Sequence, residues 1–231
     1  MHNFENTFLE YMRRYSINCN GRLLTFEQAK IMGVLNITTD SYYAASRANK
    51  DVEILRKASA LLENGADLLD IGGVSTRPGA TPVELEEELQ KTAHAIQLLR
   101  NEFPEAIISL DTFRGKPAAV GLEEGADLIN DISAYQFDSS MAATLQKYQC
   151  PYILSYSNTS FEQMHTPYAG KDLIGNHLTF LARKQQELKS WGLSDIICDP
   201  GFGFGKSLEQ NWELMKNLSA FDMLDSPLMI G

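Results

Sequence analysis

A unit that repeats along the chain constrains its fold more than any other feature. The phrases "NGADLLD" and "EGADLIND" each place a glycine between the end of a helical pattern and the start of an apolar run. In the first unit the helix is indicated by Leu55, Ala58 and Leu62, and it ends at Gly65. Because a strand begins directly after each glycine, the chain is predicted to be built from repeated βα units.

Short, nearly continuous apolar runs extend this pattern along the chain. The seven runs are "KIMGVLNIT", "DLLDIGG", "AIISLDT", "DLINDIS", "PYILSYS", "DIICDPG" and "PLMIG". Parallel strands that are covered on both faces have this composition. Repeated βα units form either an open doubly wound sheet or a closed barrel. Since no dinucleotide-binding loop is present, we favour a (β/α)₈ TIM barrel of which seven strands are visible.

Composition excludes several classes of partner. The 231 residues are 44% hydrophobic and 22% charged, which is typical of one globular domain, and the formal net charge of −10 argues against nucleic-acid binding. The N-terminus has no apolar run suited to a signal peptide or a membrane span, so we expect a cytoplasmic protein. Cys19, Cys150 and Cys198 lack metal or disulfide spacing and are expected to be reduced.

Polar side chains lie at or near the C-terminal ends of five of the first six predicted strands. These residues are Asn36, Asp70, Asp111, Asn130 with Asp131, and Asp199. Asp and Asn are also common at ordinary strand ends, in turns and at helix N-caps, so none of these residues indicates a site by itself. In a barrel, however, these ends converge on one mouth, where active sites are built. The set as a whole therefore predicts an active site at that mouth.

The stretch "DPGFGFGKS" raises the question of nucleotide binding. Gly205, Lys206 and Ser207 match the end of a phosphate-binding P-loop, but Pro200 stands where the first glycine is required and has no N–H. The dinucleotide fingerprint fails as well, because Lys206 occupies the position of its third glycine. Nucleotide binding is accordingly the least favoured function.

Five segments, from about Lys30 to Gly231, resemble the motifs of the dihydropteroate synthase family in order and spacing. They are "IMGVLNITTDSYY", "LLDIGGVSTRPGA", "IISLDT", "LINDIS" and "DPGFGFGK". The resemblance implies a pterin-binding barrel over 30–231, incomplete at its C-terminus, after an N-terminal extension over 1–29. It further implies a transferase of folate biosynthesis that joins 6-hydroxymethyl-7,8-dihydropterin diphosphate to p-aminobenzoate and releases diphosphate with Mg²⁺ present. Members of the family are often homodimers.

The resemblance places the pterin ring against Asp111, Asn130 and Asp199. A pterin presents several N–H donors with acceptors beside them, so carboxylates and an amide on separate strands suit its edge. Asp70 matches a family position beside or behind the ring. We expect its carboxylate to be buried and hydrogen-bonded, which fits a supporting role as well as a direct contact.

The resemblance also assigns residues to the other parts of the substrates. Asn36 and Arg77 match positions at the diphosphate and its metal, and Thr76 is placed with them; Asn36 is the expected Mg²⁺ ligand. Phe204 matches a position against p-aminobenzoate, and Lys206 one beside the pterin. The expected catalytic residues are Asp111, Asn130, Asp199 and Lys206.

Three departures from the family pattern stand out. Thr39 and Tyr42 replace a proline and a phenylalanine in the first loop, which we regard as tolerable variation. "SYSNTS" replaces a Met-His-Met segment, so Ser155 and Ser157 are expected to weaken apolar packing on the ring. The family would continue beyond "PLMIG", which favours a longer natural protein over a gap filled by a partner or a truncated homologue.

Two further functions stay open. A non-catalytic pterin-binding homologue would explain "SYSNTS" and the early end of the chain. A methyltetrahydrofolate-dependent methyltransferase has a similar barrel, but "STRPGA" and "DPGFGFGK" match the synthase more closely. The remaining polar features are assigned no chemistry: "TPVELEEELQK" is expected to be a solvated helix face, and His2, His94, His165 and His177 lack metal-ligand spacing.

Overall fold

The computed structural model describes residues 15–37, 47–74, 83–157 and 160–231. Its centre is a six-stranded parallel sheet in which every strand pairs with the next one along the chain. An antiparallel hairpin of two strands precedes it. The hairpin strands are β1 (Ser16–Cys19) and β2 (Arg22–Thr25), and the parallel strands are β3 (Met32–Asn36), β4 (Leu68–Gly72), β5 (Ile107–Asp111), β6 (Leu128–Asp131), β7 (Tyr152–Ser155) and β8 (Ile196–Asp199).

In the described ranges, one α-helix follows each parallel strand. In chain order they are α1 (Arg47–Glu63), α2 (Leu85–Glu102), α3 (Gly115–Glu123), α4 (Ser140–Tyr148), α5 (Leu173–Ser190) and α6 (Leu208–Lys216), with 3-10 helices at Phe161–Gln163 and Leu218–Leu224. The strand order never reverses, whereas a doubly wound sheet has a reversal point. The predicted (β/α) barrel architecture is therefore confirmed, and the doubly wound alternative is not.

The last predicted strand, "PLMIG", forms less regular structure than expected. It pairs with β8 through one isolated parallel bridge between Cys198 and Leu228. The Cys198 N–H donates to the Pro227 carbonyl at 2.9 Å, and the Met229 N–H donates to the Cys198 carbonyl at 2.9 Å. The segment thus takes the seventh position in the strand order without extending into a ladder.

The two copies of the repeated phrase have the same role in the structure: each ends a helix and bonds the next strand to its neighbour. Gly65 and Gly125 end their helices with φ of +98° and +111°, a conformation that favours glycine. The aspartate two residues later then accepts a backbone N–H from the start of the preceding strand. Asp67 accepts from Ile31 at 2.8 Å, and Asp127 accepts from Ile108 at 2.8 Å. Each unit thereby fixes its own strand against its neighbour.

The hairpin closes the N-terminal end of the sheet. Its buried residues Ile17, Cys19 and Leu24 belong to one apolar cluster with the first or second residues of five strands. Those strand residues are Leu68, Ile107, Leu128, Ile153 and Ile197. Because apolar side chains cluster at this end, a polar site is expected at the opposite, C-terminal end of the strands.

A buried carboxylate holds the hairpin in place. Asp127 has no solvent-exposed side chain and accepts from Arg22 Nη1 at 3.0 Å and from Arg100 Nη2 at 2.7 Å. The other Arg22 nitrogen, Nη2, donates to the Pro104 carbonyl at 2.7 Å. The hairpin, α2 and β6 therefore meet at one ion-paired centre.

The expectation of a fully solvated face on "TPVELEEELQK" is wrong for two of its charged residues. Glu84 and Glu86 are exposed, but Glu88 and Lys91 are buried. Glu88 accepts from Thr112 Oγ1 at 2.6 Å and from Arg114 Nη1 at 2.7 Å. The buried charge is tolerated because it is paired and hydrogen-bonded.

Cys19, Cys150 and Cys198 are buried and free, as expected. Burial raises the pKa of each thiol to about 12. Within the described ranges, no helix combines the length and apolar character that crossing a membrane requires.

Replacing Asp127 with alanine should strongly destabilise the fold, because two partly buried guanidinium groups would lose their carboxylate. We expect the free energy of unfolding to fall by about 3 kcal/mol or more in urea denaturation. Glu105→Ala is the matched control: Glu105 is 92% exposed and lies 4.0 Å from Arg22 Nε, so the loss should stay below about 1 kcal/mol. Equal losses for the two variants would contradict this role of Asp127.

Candidate active site

The strand register brings the predicted polar residues to one level at the C-terminal end of the sheet. Asn36 is paired with Gly72, Gly72 with Asp111, and Asp111 with Asn130, across four consecutive strands. On the far side of the sheet Asp199 is the last residue of β8. The convergence that the sequence pattern predicts is therefore present in the fold.

One cavity of about 340 Å³ collects most of these side chains. Its polar lining at the mouth consists of Asp70, Asp111, Asn130 and Asp199, and Phe202 and Phe204 lie beside them. Towards the hairpin the lining is mostly apolar and includes Leu24, Ile153 and Ile197, although the charged Lys30 also lines the cavity. A concave, mostly apolar space with a few converging polar groups is the usual form of a small-molecule site.

Asp70 is buried and hydrogen-bonded, as expected. Its Oδ1 accepts from Ser109 Oγ at 2.6 Å, and its Oδ2 accepts from Asn130 Nδ2 at 3.1 Å. Burial raises the pKa of Asp70, whereas the two hydrogen bonds act in the opposite direction. Asp70 thus fixes which way the Asn130 amide is turned.

This orientation leaves Asn130 with an unused acceptor. Its Oδ1 is buried and has no partner among the described residues. A buried, unpaired carbonyl is costly unless a ligand or water supplies a donor. Asn130 therefore presents an acceptor to a ligand N–H in the cavity.

Asn36 and Asp111 converge over Gly72. If Gly72 had a Cβ, it would lie 3.1 Å from Asn36 Oδ1 and 3.3 Å from Asp111 Oδ2. The missing side chain lets two oxygens approach the same space. The pKa of Asp111 is raised well above its usual range by burial and then by the carboxylates of Asp70, Asp131 and Glu88. Carboxyl groups this close together favour a ligand that brings positive charge or N–H donors.

Asp199 is held by two donors. Its Oδ1 accepts from the Gly201 N–H at 2.7 Å, and its Oδ2 accepts from Ser155 Oγ at 3.0 Å. Burial raises the pKa of Asp199, and these bonds together with Lys206 lower it. The carboxylate is thus fixed in orientation while it lines the cavity.

Lys206 lies behind the loop that carries Asp199. Its ammonium donates to the carbonyls of Gly201 and Phe204 and lies 5.2 Å from the centre of the Tyr156 ring. An ammonium has three donors, and acceptors among the described residues account for two of them. Burial lowers the pKa of Lys206 to about 8, and the Asp199 carboxylate opposes that shift.

The Tyr156 ring is itself supported by His177. The two rings are stacked, with centres 3.5 Å apart and planes 15° apart. His177 is fully buried, and Nδ1 lies 2.6 Å from the Leu173 carbonyl. Burial and the nearby Lys206 lower the pKa of His177 to about 3, so it is neutral at pH 7. No short-range sequence signal links residues this far apart, which is why sequence analysis gave His177 no role.

The loop "DPGFGFGKS" has a structural explanation that differs from phosphate binding. Ser207 is the N-cap of α6 and forms a capping box with Gln210. Gly205 has φ of +63°, and a Cβ there would come within 2.2 Å of the Thr166 carbonyl. Phe204 lines the cavity and is stacked on His165 at 6.0 Å. The glycines therefore allow the loop to pack closely against the segment that follows β7.

The serines of "SYSNTS" make polar contacts that sequence analysis did not foresee. Ser155 donates to Asp199, and the carbonyl of Ser157 accepts from Gln136 Nε2 at 3.0 Å.

Asp131, at the end of β6, caps its own loop. Its carboxylate accepts from the backbone of Ser133 and Tyr135 and from Tyr152 Oη. Its role is structural.

Some predicted site residues lie outside the described ranges. They are Thr76 and Arg77 of the predicted anion site, and Thr39 and Tyr42 of the first loop. Among the described residues, no group of three or more His, Cys, Asp or Glu side chains could hold a metal ion.

Three further residues near the site are not predicted from the sequence: Ser109, Glu88 and Arg114. Ser109 had a readable signal, since it precedes Asp111 by two positions and so points to the same face of β5. The Glu88–Arg114 pair had none, because it joins α2 to the loop after β5 over 26 residues.

Comparison with known proteins decides the family. A family model described as pterin binding enzyme matches residues 32–231. The chain belongs to the pterin-binding enzyme family. Proteins of this family similar to the chain include the dihydropteroate synthase of Synechocystis sp., which is 37% identical over 203 residues, 87% of this chain and 70% of that protein. The dihydropteroate synthase of Clostridium beijerinckii is 36% identical over 89% of this chain and 74% of its own length.

Solved structures of pterin-binding enzymes agree with this assignment. The Yersinia pestis dihydropteroate synthase in a sulfonamide drug complex is similar with a TM-score of 0.84 and 32% identity, over 93% of this chain and 78% of that one. The Burkholderia cenocepacia dihydropteroate synthase complexed with 7,8-dihydropteroate has a TM-score of 0.78 and 33% identity, over 89% of this chain and 70% of that one. The barrel fold is thus shared with these enzymes.

The amine of Lys206 should react with acylating reagents at lower pH than ordinary lysines do. We expect acetic anhydride labelling, followed site by site by mass spectrometry, to show a midpoint near pH 8 for Lys206. Asp199→Asn should lower that midpoint, because the carboxylate raises the Lys206 pKa. The exposed Lys147 is the control and should be unaffected by Asp199→Asn. A Lys206 midpoint near pH 10.5 in the unmodified protein would contradict the site's electrostatics.

Proposed function

We propose that this chain is a dihydropteroate synthase that binds the pterin ring in the cavity at the barrel mouth. The observation that carries the proposal is the buried Oδ1 of Asn130, which has no hydrogen-bond partner among the described residues. Asn130 lines the cavity together with Asp111 and Asp199. A pterin edge offers N–H donors that would complete this set of acceptors. The relatives named above as dihydropteroate synthases, one of them bound to 7,8-dihydropteroate, support the same ligand class.

The acceptors lie on separate strands, and that spacing suits a rigid flat ring. Asp111 ends β5, Asn130 is on β6 and Asp199 ends β8. Each is fixed by the sheet, so little conformational entropy is lost when the ring is bound. Phe204, which lines the same cavity, would contact p-aminobenzoate. Lys206 does not line this cavity in the free chain, and it is proposed to donate to an acceptor atom of the bound pterin.

In the reaction the bond between the exocyclic methylene carbon and the diphosphate oxygen breaks, and the electron pair leaves with diphosphate. The p-aminobenzoate nitrogen forms the new C–N bond and loses a proton. Positive charge develops on the pterin methylene, and the carboxylates of Asp70, Asp111 and Asp199 around the cavity would stabilise it. No enzyme nucleophile is required, and the pKa near 12 of the buried cysteines makes them unsuited to that role.

The side-chain oxygens at this position suit a Mg²⁺ ion that is bound by both the protein and the substrate. Asn36 Oδ1 and Asp111 Oδ2 approach the same space over Gly72, and Mg²⁺ commonly takes one or two protein oxygens together with water and substrate phosphates. Asn36 would hold the ion, with Thr76 and Arg77 proposed to contact the diphosphate. When bound, the ion neutralises charge on the leaving diphosphate. Cytoplasmic location and a homodimer stay predictions.

The synthase is tested by measuring diphosphate release from the dihydropterin diphosphate with Mg²⁺, in the presence and absence of p-aminobenzoate. Release that requires p-aminobenzoate would support the proposal. Pterin binding without release would instead favour the non-catalytic homologue, and methyl transfer from methyltetrahydrofolate would favour the methyltransferase. Absence of pterin binding would overturn all three.

Asn130→Ala should impair turnover far more than folding. Loss of the acceptor and of the amide bonded to Asp70 leaves polar groups of both enzyme and substrate unpaired, so we expect kcat/KM to fall by about 100-fold or more. Asn217→Ala is the control, because this exposed amide donates to the nearby Glu213 carbonyl, lies outside the cavity lining, and should retain full activity. Wild-type kcat/KM in Asn130→Ala would contradict the assignment.

A further inference from the structure

We propose that Ser155 is a positioning residue whose hydrogen bond holds the Asp199 carboxylate in the orientation used by the ligand. This inference rests on the proposed function for its consequence in binding. The interaction between the two side chains, however, can be tested in the free protein. It gives a role to a segment, "SYSNTS", in which sequence analysis expected only weakened packing.

The position of Ser155 follows from strand pairing. Ser155 on β7 is the direct register partner of Asp199 on β8. Its hydroxyl donates to Asp199 Oδ2 at 3.0 Å, and the side chain is almost wholly buried, with 1% exposure. A buried hydroxyl has one proton to donate, and here that proton is committed to the carboxylate.

The same construction occurs elsewhere in the sheet. Ser109 on β5 is the register partner of Asp70 on β4 and donates to it at 2.6 Å. Both carboxylates line the cavity, and both serines are buried. Two carboxylates of one site thus each accept a hydrogen bond from a serine hydroxyl on the adjacent strand. This repetition indicates that Ser155 contributes more than packing.

The charge balance around Asp199 shows what the hydroxyl contributes. Burial raises the pKa of Asp199, and three groups lower it: the Gly201 N–H, the Ser155 hydroxyl and the Lys206 ammonium. The neighbouring Cys198 thiol is uncharged, because burial raises its pKa to about 12. Asp70 and Asp111 line the same cavity as further carboxyl groups.

Removal of the Ser155 hydroxyl should raise the pKa of Asp199. A hydrogen bond to the anion favours the anion, so its loss favours the protonated form. Asp199 would then become protonated at a higher pH as the solution is acidified, and it would lose an acceptor that the pterin edge needs. In Ser155→Ala the acid limit of pterin binding should move to higher pH together with the Asp199 midpoint.

The experiment follows the Asp199 carboxyl carbon by ¹³C NMR against pH in the free chain and measures pteroic acid affinity over the same pH range. We expect Ser155→Ala to raise both midpoints by about one pH unit. Ser155→Cys, which keeps the size but has a weak S–H donor, should fall between alanine and the wild type. Ser109→Ala is the matched variant and should shift the titration of Asp70 while changing that of Asp199 much less.

The outcomes separate the two claims. Unchanged Asp199 midpoints in both Ser155→Ala and Ser155→Cys would overturn the role of Ser155. A loss of thermal stability with both midpoints unchanged would likewise assign Ser155 to packing alone. If the wild-type chain fails to bind pteroic acid, the proposed function fails, while the carboxyl titration in the free protein still decides whether Ser155 controls Asp199.

Discussion

The parallel register between neighbouring strands is the constraint on which the site depends. It places Asn36, Gly72, Asp111 and Asn130 at one level, and it sets a serine hydroxyl opposite each of two buried carboxylates. A slip of one residue in any pair would turn the polar side chain away from the cavity, because side-chain direction alternates along a strand. The geometry of the site is therefore a consequence of backbone pairing.

The N-terminal end of the sheet stabilises the fold, whereas the C-terminal end carries the candidate active site. At the N-terminal end the hairpin buries apolar side chains, and Asp127 joins it to α2 and β6 through paired charges. At the C-terminal end Asp199 is buried and Asp111 is half-buried, and neither forms an ion pair within the described ranges. Removal from water raises the pKa of both carboxyl groups. Carboxyl groups removed from water at the C-terminal end lower the stability of the fold. The packed hairpin at the N-terminal end compensates for that loss.

Much of this architecture was readable in the sequence because it rests on local signals. The glycines of the repeated phrase marked the ends of helices, and continuous apolar runs marked the parallel strands. Asp70, Asp111, Asn130 and Asp199 were found because they lie at or near strand ends, which a barrel brings to one mouth. The resemblance to the synthase family then supplied ligand assignments that position alone does not give.

What the sequence did not reveal depends on long-range contacts. The hairpin that closes the barrel, the stack of Tyr156 on His177 and the burial of Glu88 each pair residues without a local spacing rule. The same holds for Ser155: its value depends on lying opposite Asp199, 44 residues away. "PLMIG" read as a strand from its composition, whereas the ladder it forms is limited to one bridge.

The acceptors at the barrel mouth are proposed to bind the edge of a pterin ring. A crystal structure of this chain with pteroic acid would show these contacts. We expect ring N–H donors within hydrogen-bond distance, about 3 Å, of Asp111, Asn130 Oδ1 and Asp199. A pterin bound elsewhere, or bound in the cavity with Asn130 Oδ1 still unpaired, would contradict the proposal.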